Sequence, residues 1–182
     1  LINEVYATNP DQTKDLLTAV VRPILVPLSE TIQMVVDKKS EENLEEGQMP
    51  RIDGYLLDDI SDSLQLIGDL FKTCNEFSSN EKPNPLVELF SQLWPFIDKI
   101  LTEFVLFDEI VEAACRLIKH SMRALGPGFT EYLPTFIKKA MHGYEQNSIG
   151  SFVYTVEFCF TQYGQKPEFA GLFQEAFEFI CQ

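Results

Sequence analysis

Three prolines constrain this chain more than any other feature. Each lies in an apolar stretch that reads as helix: Leu25-Val26-Pro27-Leu28, Leu93-Trp94-Pro95-Phe96 and Tyr132-Leu133-Pro134-Thr135-Phe136. A proline inside a helix removes an amide donor and bends the helix. Pro95 and Pro134 are 39 residues apart. Pro27 and Pro95 are 68 apart, the excess lying in two polar linkers, Lys38 to Gly47 and Ser78 to Pro83. After each proline helix the pattern predicts a second helix that lacks one.

Local signals place these helices. Asn9-Pro10-Asp11-Gln12 supplies an N-cap, a first-turn proline and a glutamine for a capping box. A helical region follows to about Lys38, bent or broken at Pro23 or Pro27, and the next runs from about Asp53 to Asn75. Asn84-Pro85 repeats the cap-plus-proline start and opens a helix to about Phe104. Asp108 caps another that ends near Leu125, before the breaker Gly126-Pro127-Gly128. Further helices are predicted at about 130–145, 149–163 and 168–182. Helix pairs repeating at roughly 40 residues are the units of HEAT-type arrays. The predicted fold class is therefore all-α: an α–α superhelix, or HEAT-repeat solenoid, of antiparallel helical hairpins. Its pairs fall at about 11–75, 84–125 and 129–164, with a partial unit at 168–182. Leu1 stands where an initiator Met would, and the last residues lie inside an apolar helical pattern, so residues 1–182 read as one segment of a longer protein.

With 45% hydrophobic residues and 15 Phe, such a stack can bury a core. No apolar run reads as long as the roughly 18–20 residues of a membrane span, and no membrane partner is expected. The net charge of −14 argues against direct nucleic-acid binding, which needs a basic footprint. It suits attraction of basic proteins as well as ordinary solubility. Cys74, Cys115, Cys159 and Cys181 are far apart in apolar helical stretches, whereas metal sites use close pairs. They read as buried free thiols of a reducing compartment. There is no G-x-x-x-x-G-K-[ST] loop, and His120 and His142 fall in different helices without an H-E-x-x-H arrangement. Neither enzymatic chemistry nor a metal or cofactor is expected. The aromatics Phe152, Tyr154, Phe158, Phe160 and Tyr163 share one predicted helix and read as core.

One pattern points to binding. Arg116, Lys119, His120 and Arg123 recur at i, i+3, i+4 and i+7, which places them on one helix face, away from Leu117, Ile118, Met122 and Leu125. Such a strip could dock carboxylates or phosphates of a partner. It could also be a solvated face, with Glu112 and Arg116 forming an ordinary i, i+4 ion pair. Asp58, Asp62, Gln65 and Asp69 make a polar stripe of opposite sign on the preceding second helix. Acidic and basic strips side by side could hold a segment carrying both arginine and phosphate.

The run from Gln92 to Gly164 resembles the importin-β superfamily of nuclear transport receptors, and within it the transportin-SR type. The matching pieces are Leu93-Trp94-Pro95-Phe96-Ile97, Ile110-Val111-Glu112-Ala113-Ala114-Cys115-Arg116 and Met122-Arg123-Ala124-Leu125-Gly126. Phe152-Val153-Tyr154 and Gln162-Tyr163-Gly164 extend them. The resemblance implies a karyopherin that shuttles between cytoplasm and nucleus and imports Arg-Ser-rich or related RNA-binding proteins. It implies cargo contacts at Arg116, Lys119 and Arg123, with His120 beside them, and Ran GTPase contacts through other parts of the full-length receptor. Glu109 and Ala113 depart from the type that reads phosphoserine, where these positions are basic, so the resemblance extends to less phosphorylated, Arg/Gly-rich or mixed-charge cargo. The rival expectation is a HEAT-repeat scaffold subunit with no transport role.

Overall fold

A computed structural model describes Val5 and residues 9–41, 51–74 and 84–181. Seven α-helices form among them: α1 (Pro10–Glu41), α2 (Gly54–Thr73), α3 (Pro85–Glu103), α4 (Asp108–Leu125), α5 (Leu133–Asn147), α6 (Gly150–Tyr163) and α7 (Ala170–Ile180). No strand occurs among the described residues. Most of the first polar linker and all of the second lie outside the described residues. Its first residues, Lys38 to Glu41, continue α1 as helix.

The packing is that of an α-solenoid. Within each pair the helices run antiparallel: Asn84 at the start of α3 donates from Nδ2 to the Ala124 carbonyl at the end of α4, at 2.7 Å. Gly143 near the end of α5 meets Phe152 at the start of α6. Between pairs, like packs on like. One row is α1, α3, α5 and α7; the other is α2, α4 and α6. Helices of a row run parallel, as their cross-links advance in step: Lys14 to Glu88 and Lys39 to Glu103 tie α1 to α3. In the second row Gly68 faces Leu117, while Lys119 reaches Tyr154 and Tyr163 reaches Gly126.

Local chemistry accounts for several helix ends. Asn9 Oδ1 accepts from Gln12 N at 3.2 Å, and Asn84 Oδ1 accepts from Leu86 N at 3.0 Å, so both predicted caps form. Asp108 does not cap α4. The N-cap is Phe107, and Asp108 Oδ1 accepts from Asn147 Nδ2 of the next pair at 3.0 Å. Gly126 closes α4 at φ 54°, a backbone region that only glycine enters cheaply, and its carbonyl accepts from the buried Tyr163 hydroxyl at 2.9 Å. Gly126→Ala is expected to lower unfolding free energy by about 1–3 kcal/mol, measured by denaturant titration.

The prolines play two roles, not one. Pro23 and Pro27 sit exposed inside an unbroken α1, and Pro95 sits exposed inside α3. On the solvent side, water can satisfy the carbonyls those prolines leave free. Pro134, expected inside a helix, instead stands in the first turn of α5, where its missing amide costs nothing. A 3₁₀ turn at Gly126–Phe129 and the turn after it take up the residues expected to begin that helix. Uninterrupted, α1 also contains an 18-residue window long and apolar enough, by length and composition, to cross a membrane. No segment of that kind is expected from the sequence, where no apolar run reaches this length. The buried residues of α1, Leu17, Val21, Leu28 and Ile32, belong to the shared core.

That core passes through every pair without a gap. Its centre is aromatic. Phe90 of α3 meets Phe71 of α2 at 5.9 Å between ring centroids, Phe129 at 5.5 Å and Tyr132 at 4.9 Å. Cys74, Cys115 and Cys159 are buried free thiols, and burial pushes Cys115 up to about 12. Cys181 is exposed, contrary to expectation, because α7 ends at Ile180 and leaves it on the solvent side of the cap.

Candidate functional site

The second row presents the polar face that the sequence pattern predicted. Asp58, Asp62, Gln65 and Asp69 are all exposed along α2. On α4 the buried stripe includes Ile110, Ala114, Leu117, Ile118, Met122 and Leu125, which leaves Arg116 and Arg123 exposed and Lys119 half-buried. Gly68 of α2 is buried and faces the Leu117 backbone of α4.

Charge is distributed along α4, not uniform over it. Its first turns carry Glu109 and Glu112, its later turns Arg116, Lys119 and Arg123, an order that complements the helix dipole. Because α2 and α4 run parallel, the acids of both meet. Asp58, Ser61, Asp62 and Gln65 face Glu109, Glu112, Ala113 and Arg116 across a groove of about 400 Å³. Glu109 and Ala113, the positions where the resemblance fails, are part of this acidic wall.

The basic residues divide into three environments. Arg116 Nη2 donates to Glu112 Oε1 at 2.7 Å, so its charge is already matched. That exposed i, i+4 pair stabilises the helix by only about 0.3–0.5 kcal/mol. Lys119 and Arg123 make no salt bridge among the described residues. They lie instead against aromatic rings of α6. Lys119 Nζ donates to the Tyr154 hydroxyl at 2.7 Å and stands 4.5 Å from that ring's centroid. The Arg123 guanidinium carbon stands 4.9 Å from the centroid of Phe158. A second groove, of about 220 Å³, runs between α4 and α6 along Arg116, Lys119, Ser151 and Tyr154.

His120 is set apart from the strip. It turns towards α2, lining a cavity of about 90 Å³ with Gly68, Asp69 and Leu117, and its Nδ1 is buried without a hydrogen-bond partner among the described residues. Burial lowers its pKa below the ordinary 6.5, aided by the charges of Lys72, Arg123 and Lys119 and opposed by Asp69. The unfolded chain therefore takes the proton first as pH falls. The stability held by neutral His120 is complete above pH 6.5 and is lost as pH drops through the lower folded value. Thermal melts from about pH 8 to about pH 5 are expected to fall less steeply for His120→Gln than for the parent chain.

Sequence reasoning placed the whole aromatic group of α6 in the core. Phe152 and Tyr163 are buried, but Tyr154 and Phe160 are exposed and Phe158 is half-buried. No metal-binding cluster of His, Cys, Asp or Glu exists among the described residues.

Two rows of parallel helices, one with a continuous polar flank of mixed charge, define a helical-repeat protein whose surface suits another polypeptide. Residues 84–182 match the family described as the Transportin-3/Importin-13 fourth TPR domain. The chain belongs to that family of importin-β-like karyopherins, which are nuclear transport receptors for protein cargo. No solved structure matches the chain.

Proposed function

We propose that this chain is a cargo-binding segment of a nuclear import receptor, gripping Arg-Ser-rich or related RNA-binding proteins on the face of α2, α4 and α6. Its repeat pairs are about 11–75, 84–125 and 129–164, with a further partial unit at 168–182. The full-length receptor binds Ran GTPase through other parts and moves between cytoplasm and nucleus. The observation that carries the reading is the adjacency, on one face, of an acidic groove and the basic side chains of Lys119 and Arg123. The acidic groove between α2 and α4 suits arginine side chains, and the strip of Lys119 and Arg123 suits phosphoserine or carboxylate. An alternating cargo segment satisfies both at once. The grip is a sum of exposed, charge-assisted contacts, so it weakens as salt screens them.

The acids at the positions of Glu109 and Glu112 set the cargo preference. They repel a densely phosphorylated segment and favour one whose arginines outnumber its phosphates. An Arg-Ser peptide, unphosphorylated and phosphorylated to increasing extent, binds best at a partial level of phosphorylation. Fluorescence anisotropy across a salt series measures this. Equal affinity for all forms, or no dependence on ionic strength, contradicts the proposal.

A further inference from the structure

Within the basic strip of α4, the two cations that make no salt bridge among the described residues, Lys119 and Arg123, are also the two that lie on aromatic rings. Arg123 stacks on Phe158, and Lys119 stands between Tyr154 and Phe158, at 4.5 and 5.6 Å from their centroids. All four side chains are at least partly open to solvent. Tyr154 is exposed, and Phe158 is half-buried at the edge of the core. On α6 the residues buried against the stack are Phe152, Thr155, Val156, Cys159 and Tyr163, whereas Tyr154 and Phe158, one turn apart, face the adjoining end of α4.

This arrangement has a physical consequence. A free arginine or lysine on a helix surface samples many rotamers, and binding a phosphate must freeze them. A ring beneath the guanidinium plane holds it flat through cation–π attraction and leaves its N–H edge open for a forked contact with two oxygens. An opposing carboxylate would also immobilise the cation, but would occupy that edge, as Glu112 does for Arg116. The aromatic shelf immobilises without neutralising.

We infer that Phe158 and Tyr154 are positioning residues for anion recognition: they hold Arg123 and Lys119 extended, so that phosphate or carboxylate groups of the bound segment meet prearranged donors. The inference rests on the function proposed above and names two residues that act through the basic strip without touching the anion. Tyr154 adds a second constraint, because its hydroxyl accepts from Lys119 and fixes where the ammonium group stands.

A double-mutant cycle tests it. Affinity for a phosphorylated Arg-Ser peptide is measured for the parent chain, Arg123→Ala, Phe158→Leu and the double variant, with Phe158→Tyr as the conservative replacement. Phe158→Leu is expected to weaken binding roughly two- to fivefold, as an exposed cation–π contact suggests, and Phe158→Tyr to restore it. In the Arg123→Ala background, Phe158→Leu is expected to have a clearly smaller effect, the remainder coming through Lys119. The slope of affinity against salt should stay unchanged in Phe158→Leu, since no charge is removed. Additive losses in the double variant, or equal weakening by leucine and tyrosine, overturn the inference while leaving the proposed function standing. If Arg123→Ala itself binds like the parent, the proposed function fails first. Circular dichroism melts of each variant report folding, so a loss through unfolding is recognised as such and counts against the positioning role.

Discussion

Phe90→Ala is expected to lower the unfolding free energy by about 3–5 kcal/mol, the usual cost of emptying a fully buried aromatic site. Phe90 has 0% of its surface exposed and touches rings from three directions. Phe71 meets it edge-on from α2, Trp94 lies 6.0 Å away on its own helix, and Phe129 and Tyr132 close it from the turn before α5. Truncation leaves a cavity that these rings fill poorly, because each is held by another neighbour: Trp94 also packs on Tyr132, and Phe129 stacks on Tyr163 at 6.3 Å. The loss spreads across three successive pairs. Trp94 is the chain's single tryptophan, so its fluorescence reports unfolding at this junction directly. Leu66→Ala serves as the reference, since Leu66 is 58% exposed and should change stability by no more than about 0.5 kcal/mol. Equal effects of the two substitutions would contradict the junction's role.

Arg116→Glu combined with Arg123→Glu is expected to weaken binding of a phosphorylated Arg-Ser peptide by at least about tenfold. Each charge-assisted hydrogen bond to phosphate contributes about 1.5–3 kcal/mol, and reversal adds repulsion to the loss. The two positions should differ. Arg123 makes no salt bridge among the described residues, so Arg123→Glu alone should account for most of the effect. Arg116 is already paired with Glu112, and its replacement mainly extends the acidic wall of the α2–α4 groove. For the unphosphorylated peptide the same double variant should bind as well as the parent or better. Opposite responses of the two peptide forms distinguish charge reading from general damage to the surface. Unchanged binding of both forms would remove the basic strip from the account.

Much of this was legible in the chain. Asn84-Pro85 and Asn9-Pro10 named helix starts because a cap and a first-turn proline are local devices, complete within a few residues. Gly126 named a helix end because its positive φ is a local requirement. The exposed strip of Arg116, Lys119 and Arg123 followed from spacing, and the hydrophobic residues between them left only one face to bury. What failed was non-local. Pro134 has the same apolar flanks as Pro95, and only the 3₁₀ turn before it decides that one begins a helix while the other lies inside one. Asp108 looked like a cap, but Asn147 from the next pair engages its carboxylate. The charge match at Arg116 was written in the sequence as Glu112. The merging of Glu109 and Glu112 with Asp58 and Asp62 depends on how α2 and α4 lie in register, which no single helix encodes.

The aromatic shelf was missed although its signal was present. Phe152, Val156, Cys159 and Tyr163 recur at helical spacing and form one stripe, the buried one. Tyr154 and Phe158 are four residues apart on a different stripe, and composition alone merged the two. Separating stripes within a helix rich in aromatics would have placed Tyr154 outside the core and Phe158 at its edge. Their meeting with Arg123 and Lys119 would still have required the packing of α6 on α4.

The central claim is that cargo lies on the second row of helices. A photo-reactive amino acid at Gln65 or Glu109, both exposed on that row, is compared with one at Ser91 or Thr135, exposed on the first. With a labelled, partly phosphorylated Arg-Ser peptide, crosslinks should form from positions 65 and 109 and not from 91 or 135. Crosslinks confined to the first row, or equal yield from all four positions, would contradict it.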